Sequence, residues 1–142
     1  MELGLNGKRA LVLGASRGLG MEIAKGLARE GATVFAAARN GDAIREWAAK
    51  LEGEDVMPIT LDLSDIDAID AALAALMKDG GVDILINNTG GPPPGTAAAA
   101  GRPDWIKHFE TMAANLFHVA TTLLPKMRER GWGRIITIAS SG

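Results

Sequence analysis

The chain has 142 residues, of which 47% are hydrophobic, and its formal net charge at pH 7 is −2. This length suits one domain with a single core and is too short for two. The small negative charge argues against nucleic-acid or membrane binding by bulk electrostatics, and the lack of cysteine excludes disulfides and cysteine-ligated metals.

The N-terminal residues lack the pattern of a signal peptide, and no segment reaches the roughly 20 apolar residues that a membrane span needs. We therefore expect a cytoplasmic protein. The pattern also places no metal site, so a metal is not expected.

The first half of the chain alternates short apolar runs with amphipathic segments. Residues 8–14 are predicted to form a strand that ends in glycine, and a helix with apolar residues at helical spacing follows. Residues 32–39 form a second predicted strand and residues 56–62 a third. Pro58 places the third strand at the edge of the sheet, where a missing backbone donor costs least.

The second half repeats this alternation. Ser64 or Asp65 can cap a helix that ends at Gly80, and residues 82–87 form the fourth predicted strand. After a loop rich in Gly, Pro and Ala, a long helix is predicted over residues 104–130 with a kink at Pro125, and residues 134–139 form the fifth strand. Apolar strands joined by helices predict a doubly wound parallel α/β sheet covered on both faces.

The turn after the first strand, GASRGLG, carries the first chemical signal. Gly14, Gly18 and Gly20 allow a tight turn, close approach of a phosphate to the backbone, and close helix packing. Unpaired N–H groups at the start of the following helix attract an anion. The turn is therefore predicted to hold a pyrophosphate, with a plain glycine-rich connection as the alternative.

The end of the second strand indicates which dinucleotide is bound. An NAD-binding unit is expected to have an acidic residue there for the ribose 2′-hydroxyl, but this sequence has Arg39. Arg39 offers several donors to a 2′-phosphate, and Arg17 in the glycine turn is placed to reach the same group. These residues favour NADP(H) over NAD(H). Arg39 also counts against a methyltransferase, another class of enzyme with a glycine-rich turn of this kind. The alternative for either arginine is a solvated surface charge.

Four motifs together resemble the short-chain dehydrogenase/reductase family. They are GASRGLG after strand one, LDLSD after strand three, NNTG after strand four and GRIITIASS at strand five, in matching order and spacing. The resemblance covers essentially the whole chain. It implies a Rossmann-like sheet with the strand order 3-2-1-4-5.

The resemblance also implies a role for each matching cofactor-binding position. Asp62 and Leu63 would meet the adenine ring. The sheet-stabilising motif that passes beside the riboses comprises Asn87, Asn88 and Gly90. The residues that would line the pyrophosphate and the adenosine phosphate are Gly14, Ser16, Arg17, Gly18, Leu19 and Gly20.

Two catalytic positions follow from the same resemblance. Asn115 matches an asparagine that helps to hold a proton-relay water, and Ser140 matches the serine that orients a substrate carbonyl or hydroxyl, with Ser141 less favoured. Each position has a structural alternative: Asp62 as a helix cap, Asn115 as a buried structural amide, and the two serines as an ordinary polar loop. No base is placed beside the serines, so hydrolase chemistry has little support.

The family also relies on a tyrosine and a lysine about a dozen residues beyond the serine. This sequence contains no tyrosine and stops before both positions. We therefore expect residues 1–142 to be one NADP-binding domain, the N-terminal part of a longer reductase, with a sheet incomplete at its fifth strand and no activity of its own.

The function implied is NADP(H)-dependent hydride transfer to or from a small carbonyl or alcohol substrate, similar to 3-oxoacyl reduction. The alternative is a non-catalytic NADP(H)-binding or sensing module on the same fold. A homodimer or homotetramer is expected for a complete chain. The residues of the last helix that would either pair subunits or cover the sheet are Leu116, Val119, Ala120, Leu123 and Met127.

Overall fold

The computed structural model describes residues 2–140, which form one sheet with helices on both faces. The strands are β1 (Arg9–Leu13), β2 (Thr33–Ala38), β3 (Val56–Thr60), β4 (Ile84–Asn87) and β5 (Arg134–Thr137). The helices are α1 (Gly18–Arg29), α2 (Gly41–Ala48), α3 (Ile66–Lys78), α4 (Arg102–Phe109) and α5 (Asn115–Arg130). A short 3-10 turn, Ala97–Ala99, precedes α4, and a π-helical turn, Glu110–Ala114, joins α4 to α5.

All neighbouring strands are parallel, and their order is β3-β2-β1-β4-β5. This confirms the predicted fold class and strand order. β1 lies at the centre, where Leu11 pairs with Phe35 of β2 on one side and Leu85 of β4 on the other. The chain turns in opposite directions on the two sides of β1, so the carboxyl ends of β1 and β4 border a crevice.

Two apolar cores cover the two faces of the sheet. On one face, α3 and α5 pack against side chains such as Leu11 and Leu85. On the other, α1 and α2 pack against side chains such as Val12 and Val34. The alternation along each strand places successive residues on opposite faces, and both faces are buried at β1, β2 and β4.

The predicted edge position of β3 is confirmed. Pro58 lies opposite Ala36 of β2, and within residues 2–140 no strand pairs with the other side of β3. The helix that follows is capped by Asp65, whose carboxylate accepts the Ala68 N–H at 3.0 Å, so Asp65 rather than Ser64 is the cap.

The long predicted helix departs from α geometry at a different place from the one expected. The α-helical assignment of α5 continues through Pro125, whereas hydrogen bonding changes to the π pattern at Glu110–Ala114. The π-helical turn ends directly before Asn115, the residue that the sequence marks as a candidate. π-helical turns occur frequently at functional sites.

The apolar face of α5 covers the sheet. Leu116, Val119, Leu123 and Met127 are buried in the core, and Ala120 packs against them. The exposed apolar residues of the α4–α5 segment are different ones: Trp105, Phe109 and Phe117 are 58%, 65% and 65% exposed.

The β5 edge of the sheet is apolar and accessible. Ile135 and Ile136 are 41% and 49% exposed, and within residues 2–140 β5 pairs with β4 alone. In the same part of the chain, no helix has both the length and the apolar character required to cross a membrane.

Candidate cofactor-binding site

Apart from Asn115, which begins α5, the predicted site residues lie at or beyond the carboxyl ends of the strands. The glycine turn follows β1, Arg39 follows β2, and Asp62 and Leu63 follow β3. Asn88 follows β4. Parallel strands bring these connections to one edge of the sheet, which is where open α/β sheets bind their ligands.

The glycine turn is held against Asn88. Asn88 Nδ2 donates to the Gly14 carbonyl at 3.3 Å, and Gly14 has a φ of +63°, which favours glycine. A Cβ atom on Gly14 would lie 2.7 Å from Asn88 Nδ2, and one on Gly20 would overlap the Gly14 carbonyl oxygen. Glycine is therefore required at both positions for the first turn of α1 to approach the end of β4.

Gly18 has a different part in the turn. Its φ is +60°, yet among residues 2–140, its chain neighbours and the backbone of its own helix aside, no atom lies within 4 Å of where its Cβ would be. The space in front of Gly18 is therefore open, which suits close approach of a ligand to the backbone at the start of α1.

Both backbone groups of Ala15 are hydrogen-bonded. The Ala15 N–H donates to the Ala37 carbonyl of β2 at 3.0 Å, and the indole Nε1–H of Trp47 donates to the Ala15 carbonyl, also at 3.0 Å. Trp47 is only 6% exposed. Trp47 is not among the site residues that the sequence predicts, and its polar indole N–H is the one signal that it needs a nearby acceptor.

The N terminus of α1 is suited to an anion. Among residues 2–140, no side chain caps this helix, and its first turn has no acidic residue. The initial N–H groups of a helix have no intrahelical acceptor, and the helix dipole makes this end positive. Arg17 and Leu19 beside it are exposed, and Ser16 is half-buried.

Arg39 and Asp62 lie close enough to interact electrostatically. Asp62 Oδ1 accepts from the Ser64 N–H at 2.9 Å and from the Ser64 hydroxyl at 2.7 Å. These two bonds, and then the charge of Arg39, lower the pKa of Asp62 below its ordinary value of 3.8. Asp62 is not the cap of α3, because Asp65 has that position.

Neither arginine at this edge is neutralised by a direct partner. Within residues 2–140, the side chains of Arg17 and Arg39 form no ion pair and are exposed. Their charges therefore remain available to a phosphate group.

Asn115 is joined to the predicted adenine-binding loop. It is 5% exposed, and its Nδ2 donates to the Leu63 carbonyl at 2.7 Å, which connects the start of α5 to the segment after β3. This bond gives the side-chain amide a structural partner. The role in holding a relay water stays a prediction.

Asn87 has a buried acceptor that nothing in the described part of the chain satisfies. The residue is 3% exposed, and its Oδ1 has no donor among residues 2–140, while its backbone carbonyl accepts from Ile138 at 2.9 Å. Gly90 lies further along the same connection and is exposed.

Ser140 lies at the same edge of the sheet, three residues beyond the end of β5, and is exposed. Ser141, the less favoured candidate, lies outside the described residues. The structure therefore groups the candidates into a glycine cradle with Asn88, the neighbouring but unbonded charges of Arg39 and Asp62, and an Asn115–Leu63 contact, with Ser140 beyond β5.

A glycine cradle at the N terminus of a helix, at the carboxyl edge of a parallel sheet, defines a dinucleotide-binding domain of the Rossmann type. The family model described as short chain dehydrogenase matches residues 8–142. The chain belongs to the short-chain dehydrogenase family.

Relatives and solved structures agree with this assignment. Gluconate 5-dehydrogenase of Gluconobacter oxydans is 39% identical over 139 residues, which is 96% of this chain and 54% of the relative. L-sorbose reductase of Gluconobacter frateurii, solved with NADPH and L-sorbose, superposes with a TM-score of 0.90 at 35% identity, covering 99% of this chain and 55% of that one. A variant of actinorhodin polyketide ketoreductase solved with NADPH gives 0.84 at 38% identity, with coverages of 96% and 54%.

The chain thus spans about half the length of the relatives that it matches. Both of these solved reductases hold NADPH, the cofactor that Arg39 and Arg17 predict from the sequence.

Proposed function

We propose that this chain is the NADP(H)-binding portion of an oxidoreductase acting on a small carbonyl or alcohol substrate. The observation that carries the proposal is Arg39, an exposed cation that follows β2 and has no ion pair among residues 2–140, where an NAD-specific site would have a carboxylate. Arg39 stands at the same sheet edge as the glycine cradle. The 2′-phosphate and the pyrophosphate of one cofactor would therefore be bound by different groups on this edge, Arg39 and the glycine cradle.

The phosphate groups would be held by backbone and by arginine. The open approach at Gly18 and the uncapped start of α1 suit the pyrophosphate, together with Ser16 and Leu19. Arg39 and Arg17 suit the 2′-phosphate, because guanidinium groups donate several hydrogen bonds to phosphate oxygens.

The adenosine would lie against the segment after β3. The Asn115 amide holds the Leu63 carbonyl, and Asp62 is kept ionised by Ser64, so Asp62 offers only acceptors to an adenine amino group. Asn88 and Gly90 would border the ribose groups.

When bound, NADP(H) supplies or accepts the hydride. Ser140 would orient the substrate oxygen by hydrogen bonding, and Asn115 would help to hold the water of a proton relay. Hydride transfer to a carbonyl also needs a positioned proton donor, which contributes about 10²- to 10⁴-fold in rate. Since the sequence contains no tyrosine, residues 1–142 are proposed to bind the cofactor without turning substrate over.

Assembly into a homodimer or homotetramer is part of the proposal. Its support is the exposure of three large apolar side chains on α4 and α5, Trp105, Phe109 and Phe117, because exposed apolar surface often marks an interaction site.

The test is an assay of the complete gene product with NADPH and a panel of ketones, quinones, sugar-derived ketones and 3-oxoacyl thioesters. NADPH oxidation with at least one class supports the reductase. Tight NADPH binding with no turnover across the panel would support a sensing module instead. Absence of NADPH binding would overturn the cofactor assignment.

A further inference from the structure

The indole of Trp47 is hydrogen-bonded to the glycine turn, at the carbonyl one residue beyond the one that Asn88 holds. Trp47 is the penultimate residue of α2, is 6% exposed, and donates from Nε1 to the Ala15 carbonyl at 3.0 Å. Trp47 and Ala15 are 32 positions apart in the sequence. Ala15 itself has no exposed surface, so this bond lies in the interior.

The bond determines the direction of the next backbone N–H. The peptide between Ala15 and Ser16 is planar and trans, so its C=O and N–H point in opposite directions. Because the Ala15 carbonyl is directed at the buried indole, the Ser16 N–H is directed away from it. Ser16 is half-buried and lies on the exposed side of the turn, next to Arg17.

The rest of the turn is held by other contacts. Asn88 holds the Gly14 carbonyl, and Ala37 accepts the Ala15 N–H. The Trp47 bond adds a third fixed group, one peptide closer to α1. Ala15 lies beyond β1 and before α1, so its carbonyl takes part in neither a sheet ladder nor a helix.

We propose that Trp47 is a positioning residue of the cofactor site, whose indole N–H orients the Ala15–Ser16 peptide toward the cofactor pyrophosphate. This inference rests on the proposed NADP(H)-binding function. The helix that carries Trp47 begins two residues after Arg39, where Asn40 accepts the Ala43 N–H at 3.1 Å. A single short helix therefore connects the residue for the 2′-phosphate with the turn for the pyrophosphate.

The principal variant is Trp47→Phe, which keeps an aromatic ring and removes the donor. The matched control is Trp132→Phe, because Trp132 stacks with Lys8 and Arg134 at the amino edge of the sheet and its Nε1 has no acceptor among residues 2–140. Calorimetry would give the Kd of NADPH and of 2′-AMP, which has the adenosine and the 2′-phosphate but no pyrophosphate. We expect Trp47→Phe to weaken NADPH binding about tenfold, to leave 2′-AMP binding unchanged, and Trp132→Phe to change neither.

A second variant removes the N–H without changing the shape of the ring. In a Trp105→Phe, Trp132→Phe background, tryptophan is replaced by β-(3-benzothienyl)alanine, so that only position 47 is altered. The same selective loss for NADPH is expected with no loss in Tm. This variant keeps the inference testable if Trp47→Phe fails to fold.

The outcomes distinguish a failure of the role of Trp47 from a failure of the proposed NADP(H)-binding function. Unchanged NADPH affinity in the benzothienyl protein would overturn the role of Trp47 while the proposed function stands. Equal losses for NADPH and 2′-AMP would also overturn it, because they would show an effect of packing on the whole site. A wild-type protein that does not bind NADPH would overturn the proposed function, and this inference with it.

Discussion

The two ends of the sheet differ in whether their polar groups have partners within the chain. At the amino edge, buried Asp83 accepts from the Arg9 N–H at 2.9 Å and from Arg130 Nη1 at 3.1 Å. At the carboxyl edge, Arg17 and Arg39 have no ion pair within residues 2–140, and the start of α1 has no side-chain cap. One edge satisfies its own charges, whereas the other leaves charges and N–H groups for a ligand.

The amino-edge contacts also fasten the turn between α3 and β4. Arg9 Nε donates to the Gly81 carbonyl at 2.8 Å and Arg9 Nη2 to Asp79 at 2.9 Å, while Arg130 Nη2 donates to the Gly80 carbonyl. Buried polar groups that are fully paired make a structure rigid. If the amino edge stabilises the fold and the carboxyl edge binds the ligand, variants at the two edges should have separate effects on stability and on binding.

The largest effect is expected for Gly20→Ala at the carboxyl edge. The added Cβ would overlap the Gly14 carbonyl and press on Asn88 Nδ2, so the turn and the first residues of α1 must move apart. We expect NADPH binding to weaken by about 100-fold or more, with a fall in Tm, since overpacking costs about 1–3 kcal/mol and often more. Fluorescence titration with NADPH measures the first effect.

The control for Gly20→Ala lies in the same helix. Gly26→Ala adds a Cβ that meets no atom of residues 2–140 within 4 Å apart from its own helix, so it should raise stability by about 0.5–1 kcal/mol and leave NADPH binding intact. If Gly20→Ala bound NADPH as tightly as Gly26→Ala, the cradle would not be the pyrophosphate site.

At the amino edge, Asp83→Ala is expected to lower the stability of the protein and to leave its NADPH affinity unchanged. The change leaves the half-buried Arg9 N–H and the exposed Arg130 guanidinium without their acceptor, and an unsatisfied donor costs about 1–3 kcal/mol. Urea unfolding should show this loss, while the NADPH Kd of the folded protein stays within about twofold, a change of less than half a kcal/mol.

Asp79→Ala is the matched control, because the Asp79 side chain is 72% exposed and its pair with Arg9 should contribute less than about 1 kcal/mol. A large change in NADPH affinity in Asp83→Ala would mean that the two edges are coupled, and the proposed separation would fail.

Arg39→Asp tests the cofactor choice at the carboxyl edge. The variant replaces a donor for the 2′-phosphate by a group that repels it, and charge-assisted bonds contribute about 1.5–3 kcal/mol. We expect the NADPH/NADH preference to fall about 100-fold, measured as a ratio of Kd values. Arg29→Asp makes the same charge change at the far end of α1 and should leave the ratio unaltered.

An unchanged ratio in Arg39→Asp would contradict the 2′-phosphate assignment. The result would also weaken the comparison between the edges, because Arg39 would then be a solvated charge with no function.

Local patterns predicted the fold, and contacts between distant segments made the site. Pro58 and the glycine turn are short-range signals, so both the edge strand and the turn after β1 could be placed from the sequence. The bonds of Trp47 to Ala15 and of Asn115 to Leu63 join residues 32 and 52 positions apart. Their existence depends on how helices pack on the sheet, which periodicity does not specify.

The π-helical turn shows the same limit on a smaller scale. Proline is a strong local signal, so the sequence directed attention to Pro125, yet the helical assignment of α5 continues through it. The change of hydrogen bonding at Glu110–Ala114 has no comparable marker in residue type. The π-helical turn can therefore be recognised only in the three-dimensional structure.

The smallest expected effect is a change in the pKa of Asp62. This carboxylate also lies at the carboxyl edge, but Ser64 already donates hydrogen bonds to it. The Ser64 N–H contributes most to the lowered pKa of Asp62, then the Ser64 hydroxyl, and Arg39 contributes less. Ser64→Ala removes only the hydroxyl, so the pKa should rise and stay below 3.8. Arg39→Leu should raise it by less, and carboxyl ¹³C NMR titration measures both.

The sign of the pH dependence follows from the direction of this shift. Because the folded-state pKa lies below 3.8, the stabilisation from Asp62 is fully present above that value and is lost as the pH falls through the folded-state pKa. Ser64→Ala should move the loss to higher pH. A larger rise in Arg39→Leu than in Ser64→Ala would show that Asp62 is held mainly by the arginine, so that Arg39 would be partly neutralised before any phosphate arrives.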